Sequence, residues 1–242
     1  MNDFYKEDLA FIHDVGFADY ALKSAPGILE ILRKSNIYQG LIVDLGCGSG
    51  LLTQELAKAH YQVSGIDISE SMIAIARQRL PDIQFQVGSM LQVDIPKCHA
   101  VTSVGECLNY LFDSEHNPQT VMRLFGRIYQ SLFPGGVFIF DIAEPGQVPP
   151  KITTQGFTKG EDWIVLVEKQ EDAERSILTR SITSFRQVGE YYRRSDEVHY
   201  QQLYQAQDVA KKLQQVGFHV EISHKYGQFH LPKAHAVLIA SK

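Results

Sequence analysis

With 242 residues and a net charge of −5, the chain is long enough for one substantial core and offers no basic footprint to nucleic acid. Hydrophobic residues make up 44% and charged residues 21%, no apolar run reaches membrane-span length, and the N-terminus lacks the basic and apolar parts of a signal peptide. Cys47, Cys98 and Cys107 are odd in number and show no C-x-x-C spacing, which points to a reducing cytoplasm and away from a zinc site; no other metal-ligand cluster is visible.

Residues 1–40 read as an N-terminal helical lid. The first sixteen residues are polar and aromatic, with Tyr5, His13 and Asp14. A helix is predicted from Pro26, which suits a first turn, with Ile28, Ile31 and Leu32 on one face. His13 beside Asp14 reads either as a proton-transfer pair or as a helix cap with a surface histidine.

Residues 41–150 alternate strand and helix. Leu41 to Leu45 is a short apolar run that stops at Gly46-Cys47-Gly48-Ser49-Gly50, after which Leu52, Leu56 and Ala59 form a helical stripe. A second strand ends at Gly65-Ile66-Asp67-Ile68, and Ser69 caps a helix carrying Met72, Ile73, Ala76 and Leu80. Strands at Ile83–Val87 and Ala100–Val104 follow. Val121, Leu124, Phe125, Ile128 and Leu132 then give the cleanest helical face, ended by Pro134-Gly135-Gly136 before a strand at Val137–Ile142. Such alternation predicts an α/β fold, doubly wound and Rossmann-like, with its ligand at the carboxyl ends of the strands.

Between 151 and 204 the helical period disappears. Trp163–Val167, Ile177–Phe185 and Tyr191–Tyr204 read as an antiparallel β insertion. Residues 205–242 return to a helix with Val209, Leu213 and Val216, stopped by Gly217. Strands at Phe218–Ile222 and Ala236–Ala240 then complete a mostly parallel, seven-stranded core sheet.

The glycine turn sets the ligand chemistry. A dinucleotide fingerprint needs G-x-G-x-x-G/A, and Leu51 occupies the position of its last small residue, which weighs against a nicotinamide-dependent dehydrogenase. The spacing is instead G-x-G-x-G with Asp44 before it, suited to a ligand bearing an amino and a carboxylate group. Val-Asp-Leu-Gly-Cys-Gly-Ser-Gly, residues 43–50, closely resembles motif I of the class I S-adenosylmethionine-dependent methyltransferases. That resemblance implies S-adenosyl-L-methionine as cofactor, with Asp44, Gly46, Cys47 and Gly48 around its methionine part. Asp67, at the end of the second strand, is placed to accept from both ribose hydroxyls, or else caps the next helix; Ile68 would lie against adenine. In that family an acidic residue usually meets the adenine amino group, and here Ser89 stands in its place, followed by Met90 as a packing residue. Gly105 belongs to a small-residue turn bordering the methionine part and the substrate.

Glu106, Asn109 and Tyr110 sit at the rim of the expected pocket. Glu106 is a candidate to hold an amine or remove its proton, with Tyr110 a second catalytic candidate and Asn109 a substrate contact. His13 and His199 are further candidate bases. The insertion resembles that of amino-sugar N-methyltransferases, where it forms a sheet over the active site or a homodimer contact. Within it Glu197, His199 and Gln201 share one face, turned either to solvent or into a pocket as substrate readers. Tyr191-Tyr192-Arg193-Arg194 reads as a charged edge strand. The expected activity is in-line methyl transfer to a nitrogen or oxygen of a small-molecule substrate. A noncatalytic S-adenosylmethionine-binding regulatory module is the alternative.

Overall fold

The structure, a computed structural model, describes residues 4–242. Two helices, α1 (Glu7–Gly16) and α2 (Asp19–Lys34), precede β1 (Leu41–Leu45), α3 (Leu51–Lys58), β2 (Gln62–Asp67), α4 (Glu70–Arg79), β3 (Gln84–Val87) and β4 (Cys98–Ser103). After a single 3-10 turn at Cys107–Asn109 come α5 (Pro118–Ser131) and β5 (Leu132–Ala143). Then follow β6 (Thr153–Lys159), β7 (Trp163–Asp172), β8 (Ile177–Val188) and β9 (Tyr191–Gln202). The chain ends with α6 (Ala206–Val216), β10 (His219–Ser223), a short hairpin of β11 (Lys225–Tyr226) and β12 (Phe229–His230), and β13 (His235–Ser241).

The seven-stranded sheet runs β10-β13-β5-β4-β1-β2-β3. Its five-strand block is parallel; β13 runs antiparallel to it, and β10, antiparallel to β13, restores the direction of the block. Alternation along the central strands divides the core between two faces. Val43, Leu45, Val101, Phe138 and Phe140 pack with α5 and α6, whereas Ile42, Ala100, Val137 and Ile139 pack with α2 and α3. Chain order reverses between β1 and β4, so the crevice at their carboxyl ends is where this architecture binds ligands. Among the described residues no helix is long and apolar enough to cross a membrane.

Local chemistry explains most boundaries. Asn117 Oδ1 accepts from the Gln119 and Thr120 N–H groups, and Thr120 Oγ1 accepts from the Asn117 N–H, a reciprocal cap that starts α5 with Pro118 in its first turn. Ser69 caps α4 through the Met72 N–H. Pro26, expected to open a helix, lies well inside α2 instead. Burial of Ala25, Ile28 and Leu32 against the core holds the helix continuous across a residue that cannot donate. β6 and the β11–β12 hairpin escape the sequence reading because they are short or largely exposed and show little apolar alternation.

β6–β9 form a separate antiparallel sheet, and α1 joins it to the core. Leu9 and Ile12 of α1 pack with Trp163, Val165 and Ile182 of the small sheet. On the other side Asp14 receives two hydrogen bonds from Arg79 of α4, at 2.8 and 2.9 Å. Glu197 of β9 accepts from the Tyr5 and Lys6 N–H groups at 2.8 and 2.9 Å, fixing the segment that leads into α1.

Candidate active site

The turn after β1 is built for close approach. Gly46, Gly48 and Gly50 have φ of +71°, +53° and +80°, a region that costs a side-chain-bearing residue. A Cβ on Gly46 would lie 2.5 Å from Cys107 Sγ, so nothing larger fits there; around Gly48 a Cβ would meet nothing within 4 Å, because that side faces a cavity. Asp67 Oδ2 accepts from the Gly48 N–H at 2.8 Å and Oδ1 accepts from the Ser69 N–H at 2.8 Å. Burial raises the Asp67 carboxyl above its ordinary value.

Two adjoining chambers open from this turn. The smaller, about 140 Å³, is walled by Gly46, Gly48, Asp67, Ile68, Ser89 and Met90 among others. The larger, about 860 Å³, is lined by Glu106, Lys169, Arg180 and the inner faces of β6 to β8. Tyr5, His13, Val104, Gly105 and Tyr110 line both, so the chambers meet at that wall. Gly105 has φ +95°, and a Cβ there would meet nothing within 4 Å.

Beneath the wall lies a charged network. Glu106 Oε2 accepts from Arg180 at 2.9 Å and from Gln201 Nε2 at 2.8 Å, while Oε1 lies 2.8 Å from His235 Nε2. Burial alone would raise the Glu106 carboxyl, but Arg180, His235 and Gln201 outweigh it and hold the group well below the usual carboxylate range. Arg180 also donates to Tyr110 Oη at 3.1 Å, and Tyr110 Oη lies 3.2 Å from Tyr5 Oη. Burial pushes both phenols up, so they stay protonated. Asp141 accepts from the Gly105 and Glu106 N–H groups and from Tyr226 Oη, and burial raises it to about 6. It is the anchor that holds Gly105 and Glu106 in their left-handed conformations.

A family model described as a methyltransferase domain matches residues 42–136, the stretch from β1 into β5. The chain is 27% identical over 188 residues to the methyltransferase YqeM of Bacillus subtilis (strain 168), covering 74% of each protein. It is 28% identical over 142 residues to a dTDP-3-amino-3,4,6-trideoxy-alpha-D-glucopyranose N,N-dimethyltransferase of Streptomyces venezuelae, covering 57% of this chain and 58% of that one. Among solved structures, an S-adenosylmethionine-dependent methyltransferase from Clostridium acetobutylicum ATCC 824 superposes with a TM-score of 0.81 at 22% identity over 98% of each chain. DesVI of Streptomyces venezuelae gives 0.79 at 21% identity, covering 98% of this chain and 99% of that one. Residues 42–136 thus match a methyltransferase domain, and the relatives and structural neighbours support a class I S-adenosylmethionine-dependent methyltransferase.

The smaller chamber suits S-adenosyl-L-methionine, the cofactor named for the Clostridium acetobutylicum neighbour. Each Asp67 oxygen spends one lone pair on a backbone N–H and keeps another, enough for two hydroxyl donors. Ile68, Met90 and Leu91 supply an apolar slot for a flat ring. Ser89 Oγ accepts from the Leu91 N–H at 3.1 Å and retains a lone pair for an amino group.

Some expected site residues stand elsewhere in the methyltransferase. Asp44 is 1% exposed and lies behind the turn; its oxygens accept from Thr53 Oγ1 at 2.7 Å and Thr102 Oγ1 at 2.8 Å, and burial raises it to about 6. It braces the turn and does not line the chamber. Cys47 packs among Ile73, Ala76 and Phe85, a small buried side chain outside the lining of the smaller chamber. Asn109 is fully buried, donating to the Ala143 and Gln202 carbonyls and accepting from the Ala143 N–H, so its polar groups are spent on backbone. His199 is also fully buried, 2.8 Å from Glu197, and lines neither chamber. The face shared by Glu197, His199 and Gln201 turns inward, where it supports the wall through Tyr5 and Glu106. Asp14 pairs with Arg79, so it forms no relay with His13.

His13 itself stands where both chambers meet. Its Nδ1 is buried without a hydrogen-bond partner among the described residues, and burial, opposed by Asp14 and aided by Arg180, lowers the histidine to about 4. A histidine lowered in the folded state takes up its proton later than in the unfolded chain. Its contribution therefore makes stability fall as pH drops from about 6.5 to about 4. Replacing His13 with Asn is expected to remove that part of the slope, read as a smaller difference between urea midpoints at pH 7 and pH 5. An unchanged slope would mean that His13 titrates as an ordinary exposed group.

Proposed function

We propose that the methyltransferase transfers a methyl group to a nitrogen or oxygen nucleophile of a small molecule held in the larger chamber. The observation that carries this reading is the shared wall at Tyr5, His13, Val104, Gly105 and Tyr110, where contents of the two chambers would touch. Relatives named as amino-sugar N,N-dimethyltransferases favour an amine nitrogen.

In this reading Asp67 holds the ribose, Ile68 and Met90 flank the adenine, and Ser89 meets its amino group. Gly46, Gly48 and Gly105 let backbone approach the methionine part. The cofactor supplies a methyl group on a sulfonium, already activated for displacement. What the chain adds is alignment and dryness. The N-terminal segment and α1 cover the wall, and Tyr5 and Tyr110 present protonated phenols to it. One ring nitrogen of neutral His13 is the acceptor for an N–H or O–H of the nucleophile, which orients its lone pair. If the nucleophile is a hydroxyl, the same atom can take the proton that becomes acidic as the new bond forms. Glu106 is not the base: its charge is already committed to Arg180 and His235. It positions Arg180, Tyr110 and Gln201 instead.

Incubation with methyl-labelled cofactor and pools of amines and alcohols, followed by mass spectrometry, tests the reading. Label is expected in an acceptor of one class. Cofactor binding with no label in any acceptor would favour the regulatory-module alternative.

A further inference from the structure

In the small sheet Thr154, Lys169, Arg180 and His199 stand in one cross-strand row, with Lys169 directly opposite Arg180. Trp163, Val165, Val167 and Lys169 alternate onto the inner face of β7, and Lys169 and Arg180 both line the larger chamber. Side chains of directly opposed residues approach closely, so two like charges there disfavour each other. The chamber's other charges cancel in pairs. Asp19 and Lys23 meet at 2.7 Å on its exposed rim, and Glu106 meets Arg180 at 2.9 Å. Lys169 has no ion-pair or hydrogen-bond partner among the described residues, and burial, followed by the neighbouring Arg180 and opposed by Glu106, lowers its ammonium.

A half-buried ammonium beside a guanidinium, with no counter-charge of its own, is a position completed by an anion. We propose that Lys169, with Thr154 beside it and Arg180 behind it, binds an oxyanion carried by the methyl acceptor, a carboxylate or a phosphate. The proposal rests on the reading of the larger chamber as the acceptor site. It narrows the acceptor to molecules that carry a nucleophile and one anionic group.

The test uses the full chain labelled with 13C at the lysine ε position, with the Lys169 resonance assigned as the one lost in Lys169→Arg. Sodium phosphate and sodium acetate are titrated separately, with ionic strength held constant by sodium chloride. The expected result is a saturable shift of the Lys169 resonance at concentrations that leave exposed lysines away from the chamber, such as Lys211, unmoved. A response to phosphate alone, acetate alone or both assigns the oxyanion. If neither anion moves Lys169 beyond the exposed lysines, the proposal is wrong. Failure of the underlying reading looks different: Lys169 responds to an anion, yet labelled cofactor marks no acceptor. Label transferred to neutral acceptors with a silent Lys169 would overturn the anion site and leave methyl transfer standing.

Discussion

Arg180→Met is expected to destabilise the protein by about 3–5 kcal/mol, because it leaves the Glu106 carboxylate buried without its cation. The two side chains are 16% and 12% exposed, so water cannot readily take over. His235 and Gln201 would remain on Glu106, and the histidine would have to stay protonated to compensate. A native domain has about 5–15 kcal/mol in total, so the variant should sit near its unfolding threshold. Chemical denaturation of Arg180→Met, Glu106→Gln and the double variant measures this. The double variant should lose less than the sum of the singles, since it contains no orphaned charge. A loss under about 1 kcal/mol in Arg180→Met would show that the pair behaves as a solvated surface bridge.

Asp67→Ala is expected to weaken binding of S-adenosylhomocysteine by at least roughly tenfold. Hydrogen bonds to a charged acceptor contribute about 1.5–3 kcal/mol each, and 1.4 kcal/mol is a factor of ten. Ser89→Ala removes one neutral hydrogen bond worth about 0.5–1.5 kcal/mol and should cost several-fold less. Asp67 also accepts from the Gly48 and Ser69 N–H groups, so its loss loosens the glycine turn as well. Unfolding of the ligand-free variants separates that contribution from the contact itself. Calorimetric titration with affinities equal in Asp67→Ala and the parent would confine Asp67 to bracing the turn and capping.

What could be read from the sequence was local. The strand, glycine turn and helix at residues 41–58, and the carboxylate ending the next strand, lie within short windows whose periodicity and turn chemistry agree. The Glu106 network was beyond reach, because its partners Arg180, Gln201 and His235 arrive from 74, 95 and 129 residues away. Asp141 carries a sequence signal of its own. A lone aspartate in the apolar run Phe138-Ile139-Phe140-Asp141-Ile142 has the same form as Asp44 in β1, and both prove to be buried acceptors that lock a neighbouring turn. Lys169 lies beyond the strand read at Trp163–Val167; the structure extends β7 to Asp172 and sets Lys169 on the same face as Val165 and Val167, which looks into a chamber. Asn109 and His199 drew attention as polar residues near a site. Their bonds to the Ala143 backbone and to Glu197 show that a polar side chain beside a pocket can be fully occupied in holding its wall.

Thermal unfolding in the presence of S-adenosylhomocysteine, NAD or NADP tests the central claim most directly. A ligand that binds only the folded state stabilises it by about 2.7 kcal/mol at a hundredfold excess over its dissociation constant. The glycine spacing, Asp67 and the apolar slot at Ile68 and Met90 predict a melting temperature that rises with S-adenosylhomocysteine concentration and does not respond to either nicotinamide dinucleotide. Stabilisation by NAD or NADP without any by S-adenosylhomocysteine would contradict the assignment.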